Sequence, residues 1–321
     1  MDSANPNPIL SLGPFQGITD APFRNVFRQH FKGVDKYYTP FFTGIQKDHA
    51  KNLQTEEIDP AYNDICTLTP QILSTDAAEI LRFAHQCKAR GYKAINLNMG
   101  CPFPRVANKK RGSGLLPYPE KVAVLFEKVF ESIDVDFSVK CRLGYFNADE
   151  IYPILDIFNR YPLSELIIHP RIGKQLYKGE ADVEAFKRLR PLVKTHLVYN
   201  GDIVSKGSFA TISQAVQPVD EFMLGRGLLA NPLLAEDIKG IVNERNRTER
   251  LHEYVVALYE DRLHHAGGSP KVLGRMKELW SYLMNSFEEP QTVWRRIKKL
   301  NALKEYEDAV EDIFKEIPVM L

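Results

Sequence analysis

The sequence predicts an α/β fold, a (β/α)8 TIM barrel, followed by a small all-helical C-terminal domain. Three observations carry this. Eight short β-rich runs alternate with helix-like stretches between residues 10 and 227. Near residue 243 the strand signals stop and long helical patterns begin, dividing the chain into residues 1–242 and 243–321. Most of the runs also end in polar or glycine residues, among them Gln71, Asn98, Cys101, Lys140, Arg142, His169, Arg171, Asn200, Asp202 and Arg226. In such barrels the C-terminal strand ends form the active-site rim, so these residues point to one shared site.

The runs are 10–15 (LSLGPF), 36–41 (KYYTPF), 65–73 (ICTLTPQIL), 94–100 (AINLNMG), 137–144 (FSVKCRLG), 165–171 (ELIIHPR), 196–202 (HLVYNGD) and 221–227 (EFMLGRG). They read as continuous rather than alternating, as strands buried on both faces do. Helix-like stretches lie between them. One spans 75–91, with Thr75 or Ser74 as N-cap and Gly91 as the stop, and another spans 117–133. An open doubly wound sheet is the alternative. It normally has fewer strands, and no GxGxxG follows the first run. The C-terminal helices are expected at 247–266, 272–287 and 292–314, separated by Gly267, Gly268 and Pro270, and by Pro290.

Composition narrows the function classes. The 321 residues carry a net charge of +1, so any nucleic-acid surface must be local. Residues 271–299 hold seven Lys/Arg against three Glu, whereas 304–321 hold two Lys against six acids. The four cysteines (Cys66, Cys87, Cys101, Cys141) show no CxxC spacing, which argues against a metal site and a disulfide framework. The first ten residues lack a signal-peptide pattern, and no run approaches the roughly 18 apolar residues of a membrane span. The expected compartment is the cytoplasm, and the expected state a monomer away from membranes.

Several residues suggest chemistry. Cys101, between Gly100 and Pro102 after the fourth run, would sit exposed at the barrel mouth, where a reactive thiol is useful. Lys140 inside an apolar run needs a paired charge, such as an anionic cofactor; the competing reading is a side chain that snorkels to the surface. His169 occupies a similar place, although a lone histidine is more often a satisfied core residue. Asn200-Gly201-Asp202 and Gly225-Arg226-Gly227 follow the seventh and eighth runs, where barrels recurrently bind phosphate. The basic loop Arg105, Lys109, Lys110, Arg111 reads as RNA-contacting or as merely solvated.

Together these residues resemble the tRNA-dihydrouridine synthase family. Asn98-Met99-Gly100-Cys101-Pro102, Val106 and Gly112-Ser113-Gly114-Leu115-Leu116 are similar to its N-x-G-C-P…V…G-[AS]-x-L-L signature. Gly13–Asp20 with Pro22-Phe23-Arg24 resembles A-P-M-x-G-V-T-D-x-P-F-R. Val139–Gly144 resembles V-K-x-R-x-G, and His169-Pro170-Arg171 resembles H-x-R. Asn200–Ile203 and Gly225–Gly227 match N-G-D-I and G-R-G. The resemblance spans roughly residues 10–240, with a weaker echo to about 285.

It implies an FMN-containing barrel that reduces uridine in tRNA with NADPH or NADH. Gln71, Lys140 and His169 would contact the flavin ring or ribityl chain, with Pro14 and Phe15 packed beneath. Asn200, Gly201, Asp202, Gly225 and Arg226 would surround the ribityl and phosphate. Asn98 and Arg171 would place the base, Arg105 and Lys109 would contact the RNA, and Cys101 would be the general acid. Phe15-Gln16 stands where Met-Ala is usual, and Pro170 where Gly is commoner. Cys141 receives no role. The rival readings are an FMN enzyme acting on a free pyrimidine and a tRNA-binding folding helper without catalysis. The position of the modified uridine is not legible.

Overall fold

The computed structural model describes residues 7–45, 55–265 and 271–321. Nine strand segments form one parallel sheet: β1 (Ile9–Leu12), β2 (Lys36–Tyr38), β3 (Leu68–Thr69), β4 (Gln71–Ile72), β5 (Ala94–Met99), β6 (Asp136–Gly144), β7 (Glu165–Ile172), β8 (Leu197–Asn200) and β9 (Glu221–Leu224). β1 pairs with both β2 and β9. β3 pairs with β2, and β4 with β5. β3 and β4 flank Pro70, whose missing N–H interrupts the ladder. They are two halves of the third run, so an eight-stranded barrel closes through it. All eight predicted runs fall on barrel strands.

The helices are α1 (Ala21–His30), α2 (Thr55–Ile58), α3 (Ala77–Lys88), α4 (Pro104–Ala107), α5 (Pro119–Phe130), α6 (Ile151–Phe158), α7 (Val183–Leu189), α8 (Lys206–Ala215), α9 (Arg226–Ala230), α10 (Leu234–Lys239), α11 (Arg247–His265), α12 (Lys271–Leu283), α13 (Pro290–Ile297) and α14 (Leu303–Glu316). The cap of α3 is neither Thr75 nor Ser74. Asp76 accepts from Ala78 N, while Ser74 bonds Glu79. Gly91 stops the segment with φ +91°, as expected. The breakers Gly267, Gly268 and Pro270 lie outside the described residues.

Two expectations change. The strands are not uniformly apolar. Ile95, Leu97, Val139 and Cys141 pack outward in the main core, while Asn96, Asn98, Ser138, Lys140 and Arg142 alternate with them into the barrel. The interior is a layered plug. Its middle is apolar, from Tyr38, Ile167, Val198 and Met223. A hydrogen-bonded ladder runs beside it: Gln71 Nε2 donates to Asn96 (2.8 Å), and Asn96 Nδ2 to Ser138 (2.8 Å).

The expected helix 292–314 is two helices. Val293 and Ile297 are buried on α13, and Tyr306, Val310 and Ile313 on α14. Ile297 and Tyr306 are nine residues apart. At about 100° per residue they would face opposite sides of one continuous helix. A break over 298–302 lets both faces be buried.

The C-terminal helices share the barrel's core. Tyr254 of α11 packs edge-on against Phe23, Phe27 and Phe31 around α1. Arg262 donates to Ile18 O (2.9 Å) and Asp20 (2.8 Å). α12 thereby lies over the C-terminal mouth of the barrel, where Tyr282 meets Phe15 with ring centroids 5.9 Å apart.

Candidate active site

A cavity of about 320 Å³ opens at this mouth. Pro14 and Phe15 from the β1–α1 loop line it, with Asn98 and Cys101 after β5, Lys140 and Arg142 from β6, and His169 from β7. Glu278, Ser281 and Tyr282 of α12 complete it. A smaller lobe is lined by Asn200, Gly201, Asp202, Gly225 and Arg226, and shares Lys140, His169 and Tyr177 with the first. The structure therefore brings together twelve of the residues singled out from strand ends and the first loop.

Cys101 is held in place through its own backbone groups. Asn98 Oδ1 accepts from Gly100 N (3.0 Å) and Cys101 N (2.9 Å), while Asn98 Nδ2 donates to Gln71 (2.8 Å). From the other side Ser113 donates to Cys101 O through N and Oγ, both at 3.1 Å. The glycines of this segment are steric requirements. A Cβ on Gly114 would lie 2.2 Å from Ala107 O, and one on Gly112, whose φ is +56°, 2.6 Å from Cys101 O. Burial pushes the Cys101 thiol up, outweighing the Phe103 backbone hydrogen bond and the cations Arg105, Arg142 and Lys140. The sulfur is thus a protonated thiol at neutral pH.

Burial, with Arg142 adding to it, pulls the Lys140 ammonium down to about 8. His169 is held far below its ordinary value by burial and by Arg142, Lys140, Arg171 and Arg226, so it is neutral. Arg171 Nη1 lies 2.9 Å from His169 Nε2. The guanidinium can only donate, so Nε2 accepts and the ring proton resides on Nδ1.

Asp202 organises the smaller lobe. Its carboxylate accepts from Arg171 (2.6 Å), Ala181 N (2.7 Å) and Arg226 (3.0 Å). Gly225 leaves room for Phe15, because a Cβ there would lie 3.1 Å from the ring. Phe15 in place of the usual Met is therefore matched across the cavity.

Two residues are placed differently from expectation. Arg171 does not line the cavity. It is buried behind His169 and clamped to Asp202 and Gly179 O, where it orients other groups. Gln71 is fully buried one layer below, acting through Asn98. Lys109 lines a separate groove on the barrel flank, while Arg105 on the same loop faces the cavity. Cys141 points outward into the core, and burial pushes it up to about 12.

Sequence reasoning gave no role to several of the lining residues. Arg142 was visible in the V-K-x-R-x-G match but received no role. It donates to Gly100 O (3.1 Å) and Leu176 O (2.7 Å), bracing the Cys101 turn. Tyr177 lies between the Arg142 and Arg226 guanidinium groups, at 5.4 and 4.8 Å from its ring centroid. It comes from a loop, and Ser281 and Tyr282 from a distant helix, so no strand-end signal marked them.

The family model for dihydrouridine synthase (Dus) matches residues 11–318. The chain belongs to the dihydrouridine synthase family. The match runs through the barrel and the C-terminal helices alike. Among curated relatives, tRNA-dihydrouridine synthase B of Pasteurella multocida is 28% identical over 73% of this chain and 70% of its own. A probable tRNA-dihydrouridine synthase of Staphylococcus aureus is 30% identical over 72% of this chain and 71% of its own. Among solved structures, histamine dehydrogenase from Rhizobium sp. 4-9 superposes with a TM-score of 0.54 at 12% identity. The likeness covers 78% of this chain and 48% of that one, and it shows the barrel fold alone.

Proposed function

We propose that this protein reduces specific uridines in tRNA to dihydrouridine, with FMN as cofactor and NADPH or NADH as reductant, in the cytoplasm. Family membership supports the reaction. The observation that carries the reading is one cavity in which a protonated thiol, Cys101, shares the lining with Lys140, Arg142 and a neutral His169.

The residues suit a phosphorylated flavin. Arg105, Lys140, Arg142 and Arg226 outnumber the carboxylates Asp202 and Glu278 in the lining, and Asp202 is already paired. The cavity falls at the lower end of the roughly 300–1,000 Å³ usual for small-ligand sites, before counting the second lobe. Asn200, Gly201, Gly225 and Arg226 would hold the ribityl and phosphate, Lys140 and His169 the ring, and Pro14 and Phe15 its underside.

Bound FMN supplies hydride chemistry, and the nicotinamide cofactor its electrons. The protein's residues do the rest. Asn98 fixes the turn that presents Cys101, and Cys101 Sγ–H gives its proton to C5 of the uracil. Its raised proton affinity keeps the acid form available at neutral pH. Lys140 and Arg142 stabilise negative charge developing on the base carbonyls. We assign residues 1–242 to catalysis and 243–321 to gripping tRNA, with α12 also walling the cavity. Among the described residues no helix is long and apolar enough to cross a membrane.

The test is product analysis. The purified protein with NADPH and an unmodified tRNA transcript is expected to yield dihydrouridine by nucleoside mass spectrometry. Uracil or orotate should go unreduced. Turnover of the free pyrimidines without RNA would overturn the reading in favour of a small-molecule reductase.

A further inference from the structure

The groove that holds Lys109 lies on the barrel flank beside the catalytic mouth. It has a volume of about 760 Å³ and runs between the start of α3 and the outer face of α5. Lys109, Lys110, Lys121 and Lys128 line it, and all four are exposed. None forms an ion pair among the described residues, although Asp76 and Glu120 also line the groove. Asp76 is committed to capping α3. Lys110 and Lys121 instead sit over the Tyr118 ring, at 4.4 and 5.3 Å from its centroid.

This is a concentration of charge in a nearly neutral chain. Residues 105–128 contain six Lys/Arg against two Glu, while the whole molecule is +1. Unpaired exposed ammonium groups on one face repel each other, and a polyanion relieves that repulsion. The geometry gives the polyanion a path. α4 separates cavity from groove: Arg105 lines the first and Lys109 the second, roughly one helical turn or 5 Å apart. Lys121 and Lys128 then share one face of α5, two turns or about 10 Å apart.

We infer that this groove is a phosphate track for the RNA strand leaving the catalytic mouth. The inference rests on the proposed tRNA substrate and adds a second RNA surface, on the barrel itself, remote in sequence from the basic segment 271–299. Arg105 meets the backbone next to the extruded base, and Lys109, Lys110, Lys121 and Lys128 continue the contact along the flank. Phosphate contacts of this kind raise affinity without reading sequence, and each releases counterions.

The experiment measures binding of an unmodified tRNA transcript by fluorescence anisotropy across a salt series. The variant is Lys121→Glu/Lys128→Glu. Its control is Lys93→Glu/Lys194→Glu, the same charge change on exposed lysines just before β5 and β8, at the opposite end of the barrel. Melting temperatures establish that each variant is folded. The groove variant is expected to bind at least tenfold more weakly, with the slope of log K against log salt reduced by about two. The control should match the wild type. Wild-type affinity and slope in the groove variant would overturn the inference, as would equal losses in both variants. The readout is separable from the proposed chemistry. A wild-type protein that binds tRNA through this groove yet forms no dihydrouridine would overturn the proposed function alone.

Discussion

His196, at the bottom of the barrel, shows how one side chain can set a pH dependence. It bonds the fully buried Glu221 (Nε2–Oε2 2.9 Å), which also holds Lys36 Nζ at 2.8 Å. Lys36 reaches Glu165 as well, at 3.0 Å. Glu165, His196 and Glu221 lie close enough to ligate a cation, but the Lys36 ammonium already supplies one. The Glu221 hydrogen bond and charge, with smaller help from Glu165 and Asp220, raise His196 above its ordinary value of 6.5 despite partial burial. A histidine raised in the folded state stabilises fully below its unfolded value. That contribution is lost as pH rises through the folded value. The melting temperature of the wild type relative to His196→Gln should therefore be highest near pH 6 and shrink toward pH 8. A difference that stays constant or grows with pH would contradict the assignment. Taking the difference matters because the buried neutral His169 contributes in the opposite direction, favouring higher pH.

At the scale of elements, buried charge ties α11 to the barrel. Arg250 donates to Glu236 at 2.7 and 2.8 Å and to His30 O at 2.9 Å, with both side chains almost fully buried. Removing one partner of such a pair strands the other charge. Arg250→Met is expected to lose about 3–5 kcal/mol of unfolding free energy. Adding Glu236→Gln should restore part of it by removing the stranded carboxylate. Chemical denaturation checks both, and equal stability of the single and double variants would refute the coupling. Legibility in the sequence divided along the same lines. Strand positions were readable because the outward faces need a continuous apolar surface against the helices. The alternation of Asn96, Asn98, Ser138 and Lys140 was in the letters too, but reads as interruption until the barrel interior is known to be hydrogen-bonded. The break at 298–302 was encoded in the phase jump from Ile297 to Tyr306. Rim residues were legible because a barrel collects its strand ends. Tyr177 and Tyr282 were not, because their approach depends on how a loop and a distant helix fold back.

For the whole molecule, barrel and C-terminal helices form one apolar core and one cavity. The same hydrophobic cluster contains Leu10 and Phe222 of the barrel and Trp280 and Ile313 of the helices. α12 supplies a wall of the site through Tyr282, and α11 steadies the β1–α1 loop through Arg262. The helices therefore help to build the site besides carrying the RNA role proposed for them, and the thiol of Cys101 faces a chamber that neither part makes alone. The most direct measurement of that account is single-turnover dihydrouridine formation on an unmodified tRNA by Cys101→Ala. Flavin absorbance serves as the check that the cavity remains loaded. The predicted result is retained absorbance with a rate lowered by roughly 10²–10⁴, the usual contribution of a positioned acid. A wild-type rate in the loaded variant would contradict the assignment of Cys101 as proton donor.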